Sequence, residues 1–346
     1  MPRAWPRSRK SAPLCSPADS QMAGVQWLVA GVALFATGAA CSQGTQPNYP
    51  VKSLKMIVPF PAGGPTDIVA RLLGQKFSEA WGQQVVIDNR PGGGGVIAGQ
   101  LAAKSPADGY TIFLGGITTL VLSTYVHKSR PYDSQRDFSP VSLTTMQPLL
   151  LMVHPTLPVK SVKEYVALAR ARPGEINYGT SGPGGSGHLA GELFRGMTGV
   201  NIVHVPYRGQ PPALNDLLAG QVQSMFGAPL AVVAHIRTGK IRALAVTGNK
   251  RTQAAPDVPT FAEAGLPSYD ASTWNGIMVP AGTSRVIMER LHGEIVKALR
   301  APATIERLAV DGSVAVASTP EEFAKFINAE HAKWSKVVRE ANIRVE

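Results

Sequence analysis

Met56-Ile-Val-Pro-Phe-Pro-Ala-Gly-Gly-Pro-Thr-Asp-Ile-Val-Ala-Arg71 joins an apolar run to an amphipathic one. Leu54–Phe60 reads as a buried strand, Asp67–Trp81 as a helix, and the Pro/Gly segment between them as a turn. Thr66 and Asp67 fall at N-cap or first-turn positions. A strand–turn–helix junction of this kind gathers free backbone N–H groups and the positive end of a helix dipole. That spot attracts anions, carboxylates included. Two readings stay open on the local sequence: an anion-binding turn, or an ordinary βα turn with a capped helix. A phosphate-binding P-loop is excluded, because no Gly-Lys-Ser/Thr follows.

Outward from this junction, strands and helices alternate. Gln84–Ile87 is a second strand, Asn89–Gly95 a turn, Val96–Lys104 a helix and Tyr110–Leu114 a third strand. This βαβαβ opening predicts a doubly wound parallel sheet. An apolar run over Pro148–Val153 starts a second set. It has strands at 176–180, 203–207, 222–226 and 241–246, and helices at 159–172, 188–197, 211–219 and 230–238. A further strand, Trp274–Val279, is followed by helices at 284–300, 303–311 and 320–341, the last with Thr319 as N-cap. Having no later strand to join, these helices must cover an existing sheet, expected to be the first. The predicted organisation is a leader over 1–47, lobe 1 over 48–150 and 272–346, and lobe 2 over 151–271. Two crossings between lobes suit a hinged pair with a cleft between them.

Composition narrows the class. The chain has 346 residues, 44% hydrophobic and 16% charged, with a formal net charge of +11. Positive charge is scattered, without a Lys/Arg run or interleaved aromatics, which argues against nucleic-acid binding. A mildly basic surface instead helps collect anionic small molecules. Residues 26–40 form an apolar stretch too short for a confident membrane span. It follows basic residues and ends in small ones, as a signal peptide does, with Gly38 and Ala40 before the cleavage point. Cys41 raises the alternative of lipoprotein cleavage, for which Gly38 fits badly. The expected location is therefore periplasmic. The only cysteines, Cys15 and Cys41, leave the mature chain without a disulfide pair, a Cys-based zinc site or a thiol nucleophile.

A second glycine-rich loop is Tyr178-Gly-Thr-Ser-Gly-Pro-Gly-Gly-Ser-Gly-His188. Gly182, Gly184 and Gly187 spell G-x-G-x-x-G between a predicted strand and helix, the dinucleotide fingerprint. Pro183 inside the turn, its place deep in the chain, and Asn201-Ile-Val-His204 where an acidic residue should follow all weaken that reading. An anion cradle at a helix N-terminus needs the same glycines and uses the hydroxyls of Ser181 and Ser186. His188 is a candidate donor to a ligand or a structural histidine. Pro91–Gly95 reads as a flexible turn. No G-x-S-x-G elbow and no H-E-x-x-H motif is present, and the seven histidines show no ligand spacing.

The motifs together resemble the Bug family, the TctC-type extracytoplasmic solute-binding receptors of tripartite tricarboxylate transporters. The resemblance rests on Tyr49-Pro-Val-Lys52, Ile57–Asp67, Asn89-Arg-Pro-Gly-Gly93, Ala107-Asp-Gly-Tyr-Thr111 and Gly187-His-Leu-Ala-Gly-Glu-Leu-Phe194. His204-Val-Pro-Tyr-Arg-Gly209, Gly239–Val246, Asp257-Val-Pro-Thr260, Phe261-Ala-Glu-Ala-Gly265 and Thr319-Pro-Glu-Glu-Phe323 complete it. It implies a two-lobed, type II-like periplasmic binding protein fold, α/β, each lobe a mostly parallel sheet flanked by helices, closing on a ligand between the lobes. It also implies a monomeric, non-enzymatic receptor without cofactor or metal, whose partners are a small carboxylate and the membrane components of the transporter. In such proteins two βα loops hold the carboxylate. The matching positions are Phe60, Ala62, Gly63, Gly64, Thr66 and Asp67 in one loop, and Ser181, Gly182, Gly185, Ser186 and His188 in the other. The resemblance adds Thr118 and Thr119 as hydroxyl contacts and Tyr207 as a pocket residue. Gly227 stands where relatives usually carry Asp, which removes a partner for an amine and leaves room for a larger or less polar ligand. The alternatives are a carboxylate sensor without a transport role, and a dinucleotide-dependent enzyme using the Gly182–Gly187 loop.

Overall fold

The computed structural model describes residues 48–126, 131–229, 232–310 and 312–341, with side chains from 48 to 125 in the first of these segments. The expected leader and Cys41 lie outside the described residues. In chain order the first elements are β1 (Leu54–Val58), α1 (Pro65–Trp81), β2 (Val85–Asn89), α2 (Val96–Ala103), β3 (Thr111–Gly116), α3 (Ser123–Val126) and β4 (Phe138–Gln147). Next come β5 (Leu150–Val153), α4 (Val162–Ala171), β6 (Asn177–Thr180), α5 (Ser186–Thr198), β7 (Val203–Pro206), α6 (Gln210–Leu218), β8 (Ser224–Gly227), α7 (Val233–Arg237) and β9 (Arg242–Val246). The chain ends with β10 (Thr273–Pro280), α8 (Arg285–Arg300), α9 (Pro302–Val310), β11 (Val314–Ala315) and α10 (Pro320–Glu340).

The strands form a six-stranded sheet, β11-β4-β10-β3-β1-β2, and a five-stranded sheet, β7-β6-β8-β5-β9. Each contains a parallel trio, β2-β1-β3 in one and β7-β6-β8 in the other. Met56 pairs with Ile87 on one side and Ile112 on the other, so β1 is central and reads as a nearly continuous apolar run. Both sheets are mixed rather than uniformly parallel. The strands that carry the chain between them, β4 and β10 on one side and β5 on the other, pair antiparallel. β4 was not foreseen: its residues Phe138-Ser-Pro-Val-Ser-Leu-Thr-Thr-Met-Gln147 mix hydroxyls with apolar positions and carry a proline.

Helix ends follow their sequences. Pro65 opens α1 at N1, and Gly82 closes it in the left-handed region at φ 64°. Thr319 and Glu322 form a reciprocal capping box on α10. α8 packs on α1 and β4, while α10 lies on β4 and also against α5 of the other sheet. One apolar cluster runs through both sheets, from Ile57 and Phe113 to Tyr178, Phe226, Trp274 and Trp334. The chain passes between sheets at Pro148–Leu149 and returns between β9 and β10. These segments bond to each other: Leu149 N–H donates to Thr247 Oγ1 at 2.8 Å and Thr247 N–H to the Leu149 carbonyl at 2.8 Å.

Candidate functional site

The β1–α1 loop and the β6–α5 loop each leave the C-terminal end of the central strand of a parallel trio. Helix N-termini converge at that end of an α/β sheet. The two loops have the same construction. Gly63 and Gly184 take positive φ, 84° and 70°. Gly64 and Gly185 follow as extended N-caps, at φ/ψ −79°/168° and −72°/164°. The third helical residue then turns back to hold the first glycine. Asp67 Oδ2 accepts the Gly63 N–H at 2.8 Å, and His188 Nδ1 accepts the Gly184 N–H at 3.0 Å. The chemistry of the brace differs, Asp in one loop and His in the other, while the Gly-Gly pair and its backbone are the same.

Asp67 is 1% exposed. Its other contacts come from Arg71 Nε at 2.8 Å and Asn89 Nδ2 at 2.9 Å, and Asn89 also donates to the Phe60 carbonyl at 3.0 Å. Burial raises the Asp67 pKa, but the hydrogen bonds from Arg71, Gly63 and Asn89 outweigh it and hold the carboxyl below the usual range. Asp67 therefore braces the loop, with three donors already on its carboxylate. Thr66 is buried and donates to Asn275 Oδ1 at 3.1 Å. Phe60 and Gly64 are half-buried, and Ala62 and Gly63 are exposed. The Pro91–Gly95 turn is specified, not loose: a Cβ on Gly95, at φ +92°, would lie 2.4 Å from Thr119 Cγ2 and 2.9 Å from Pro59 Cβ. Thr119 is fully buried, with its hydroxyl bonded to the Gly116 N–H at 3.0 Å and carbonyl at 3.1 Å. It shapes the turn after β3, and half-buried Thr118 is the more accessible hydroxyl.

In the second loop, Ser181 is exposed and its carbonyl accepts the Gly209 N–H at 3.2 Å. Gly182 adopts φ 132°, and its carbonyl accepts the Gly185 N–H at 3.2 Å. Gly185 thus spends its donor inside the loop. The first-turn donors without intrahelical partners belong to Ser186, Gly187 and His188 in α5, and to Thr66 and Asp67 in α1, where Pro65 has none. His188 is buried, and its ring stacks on His204 at 3.9 Å with 9° between planes. Accepting from Gly184 at Nδ1 puts its proton on Nε2. Burial is the main cause lowering the His188 pKa; for His204, burial and then the His188 charge bring it down to about 4. His204 Nε2 lies 2.7 Å from Thr180 Oγ1 at the end of β6. Each ring thus commits one nitrogen to the loop, while His188 Nε2 lies 3.9 Å from Glu192 Oε1.

Tyr207 is half-buried, with its hydroxyl donated to Asp216 Oδ2 at 2.6 Å; burial first and then Asp216 push its pKa up to about 12. Gly227 is buried at the end of β8, covered by Gln210 of α6. Asn275 and Gln210 are not among the residues the sequence singles out. Asn275 could have been noticed as a polar residue inside an apolar strand; nothing local marked Gln210.

The family described as tripartite tricarboxylate transporter family receptor, TctC, matches residues 69–343. BugT of Bordetella pertussis is 39% identical over 321 residues, covering 92% of this chain and 98% of that protein. The solved structure of R. palustris Rpa4515 with adipate is 39% identical, with a TM-score of 0.74, 86% of this chain and 99% of that one. MatC of Rhodopseudomonas palustris with bound malate is 31% identical, with a TM-score of 0.70, 84% of this chain and all of that one. The fold is that of periplasmic solute-binding proteins. The chain belongs to the TctC family of receptors.

Proposed function

We propose that this protein is an exported receptor that captures a small organic acid between two lobes and delivers it to the membrane components of a tripartite tricarboxylate-type transporter. The observation that carries the reading is the pair of matched loops, each presenting unpaired first-turn N–H groups at the C-terminal end of parallel strands. A carboxylate at such a place gains charge-assisted hydrogen bonds and a favourable dipole. Its two oxygens are met by α5 through Ser186, Gly187 and His188 N–H, and by α1 through Thr66 and Asp67 N–H. Pro61–Gly64 and Ser181–Gly185 shape the walls, while Asp67 and His188 hold them. Closure follows because a ligand touches both loops only when the lobes approach.

Family membership supports the receptor role, and the adipate and malate bound by Rpa4515 and MatC support the carboxylate class. The same chemistry serves a periplasmic sensor, and loss of acid uptake on deletion of the gene separates transport from sensing. The proposed site is periplasmic; among the described residues no helix is long and apolar enough to cross a membrane. The test is a thermal-shift and calorimetric screen of the mature protein against mono-, di- and tricarboxylates, with NAD as the competing candidate. A carboxylate at a hundred times its Kd should stabilise by about 2.7 kcal/mol. Silence from every acid, or a response to NAD alone, sinks the proposal.

A further inference from the structure

The first turn of α1 is tied to its sheet on two sides, each time by an asparagine. On one side Asn89, the last residue of β2, donates to Asp67 Oδ1 at 2.9 Å. On the other stands Asn275, the third residue of β10. Its Oδ1 lies 3.1 Å from Thr66 Oγ1 and its Nδ2 3.4 Å from Thr145 Oγ1 on β4. Both partners are hydroxyls, which donate or accept, so the link holds in either orientation of the amide.

Strand geometry puts Asn275 there. The two register breaks between β10 and β4 leave the extra residues, Thr144 and Val141, on β4. β10 itself therefore alternates without interruption. Ile277 and Val279 join the apolar cluster that includes Val69 and Leu73 of α1, whereas Trp274 and Met278 join the other cluster. Asn275 shares the face of Ile277, at the point where β10 pairs with Gly116 at the end of β3. The β1–α1 loop leaves the sheet at the same edge. β3 separates β10 from β1, and the residue in between has no side chain. A Cβ on Gly116 would stand 3.3 Å from Asn275 Oδ1 and 2.5 Å from the Trp274 carbonyl. Asn275 thus reaches across β3 to Thr66, which is 8% exposed. Where the Thr66 side chain is held decides where its N–H stands.

We propose that Asn275 is a positioning residue: acting through the Thr66 hydroxyl, it fixes how the Thr66 and Asp67 N–H groups meet a carboxylate. This rests on the receptor reading above.

The test is amide NMR and calorimetry on the mature protein with acetate, butanedioate and citrate, which carry one, two and three carboxylates. In the wild type at least one acid moves the Thr66 and Asp67 amide signals together with those of Ser186 and Gly187. Asn275→Leu, near in size but without a polar atom, weakens that acid about tenfold, the worth of one hydrogen bond to a charged group. The shift of the α1 amides at saturation shrinks, while that of the α5 amides remains. Thr66→Val weakens the acid by a similar factor. The double variant is no weaker than either single one, because both substitutions break the same link. Asn275→Ser, too short to reach Thr66, carries the test if the leucine variant does not fold. A lowered Tm with unchanged Kd and unchanged α1 shifts is a structural role alone and overturns the assignment. Losses that multiply in the double variant also overturn it, since Asn275 then acts by another route than Thr66. A wild type in which only the α5 amides respond overturns it while leaving the receptor reading intact. A wild type in which no amide answers to any of the acids overturns both.

Discussion

His188, a candidate ligand donor or structural histidine by position, is tied into the scaffold together with His204. Their rings stack within the second loop, and each has a nitrogen committed to a neighbour, Gly184 N–H for one and Thr180 Oγ1 for the other. A neutral pair is required, because protonating His188 at Nδ1 removes the acceptor for Gly184. The folded pKa of His204, about 4, lies below its ordinary value of 6.5, and that of His188 is lowered too. Between those pH values the unfolded chain binds more protons than the folded one. Stability contributed by the pair is thus complete above about pH 6.5 and is lost as pH falls toward 4. Urea denaturation at pH 7 and pH 5 should show the wild type losing stability, and His204→Gln should lose less. An identical drop in both proteins would remove the histidines as its cause.

At the scale of elements, the two βα loops use a common backbone with different first helical residues. α1 begins with Pro65 and α5 with Ser186, both directly after an extended glycine N-cap. Proline is well suited to the first helical position, and the conformation of Gly185 is one that a following proline tolerates. Ser186→Pro therefore removes one candidate ligand N–H while keeping the helix. The expected outcome is a Tm at or above that of the wild type, together with a carboxylate affinity weakened by about 1–3 kcal/mol. Affinity equal to the wild type would show that the Ser186 N–H does not meet the ligand. Gly185→Pro would be a poorer probe, since that N–H already bonds the Gly182 carbonyl.

At the scale of the molecule, one carboxylate holds α10 to β10, and its lysine partner reaches the segment returning from the other sheet. Glu330, 4% exposed, accepts Trp274 Nε1 at 2.9 Å and Trp334 Nε1 at 3.0 Å through Oε2, and pairs with Lys333 through Oε1. Lys333 also reaches the Asp270 carbonyl, at 3.2 Å, on the segment returning to β10. Tyr269, on the same segment, donates to the Ala190 carbonyl of α5 at 2.7 Å. Glu330→Ala leaves two indole N–H groups and an ammonium without their acceptor. Breaking such a buried pair should cost about 3–5 kcal/mol in chemical denaturation. A loss below 1 kcal/mol would mean that water replaces the carboxylate and that this contact does not hold α10 to β10.

Much of this was legible in the chain itself. Apolar runs punctuated by glycine and proline determined the parallel trios, since a run buried on both faces and followed at once by an amphipathic helix has few other solutions. The same runs located both loops, and Thr319 marked its own cap. Gly227 was visible as a missing side chain. What the sequence could not supply was how polar groups are spent. Thr119, Asp67 and His188 look like ligand contacts by type and position, but Thr119 and His188 spend polar atoms on Gly116 and Gly184 close by in the chain, and Asp67 adds a partner farther along it. Asn89 meets Asp67 across 22 positions, and Gln210 meets Ala228 across 18. Only tertiary packing brings those partners within hydrogen-bonding distance. That is also why the sequence points to an anion at Pro61–Asp67, whereas the donors left to bind it are revealed only by the folded chain.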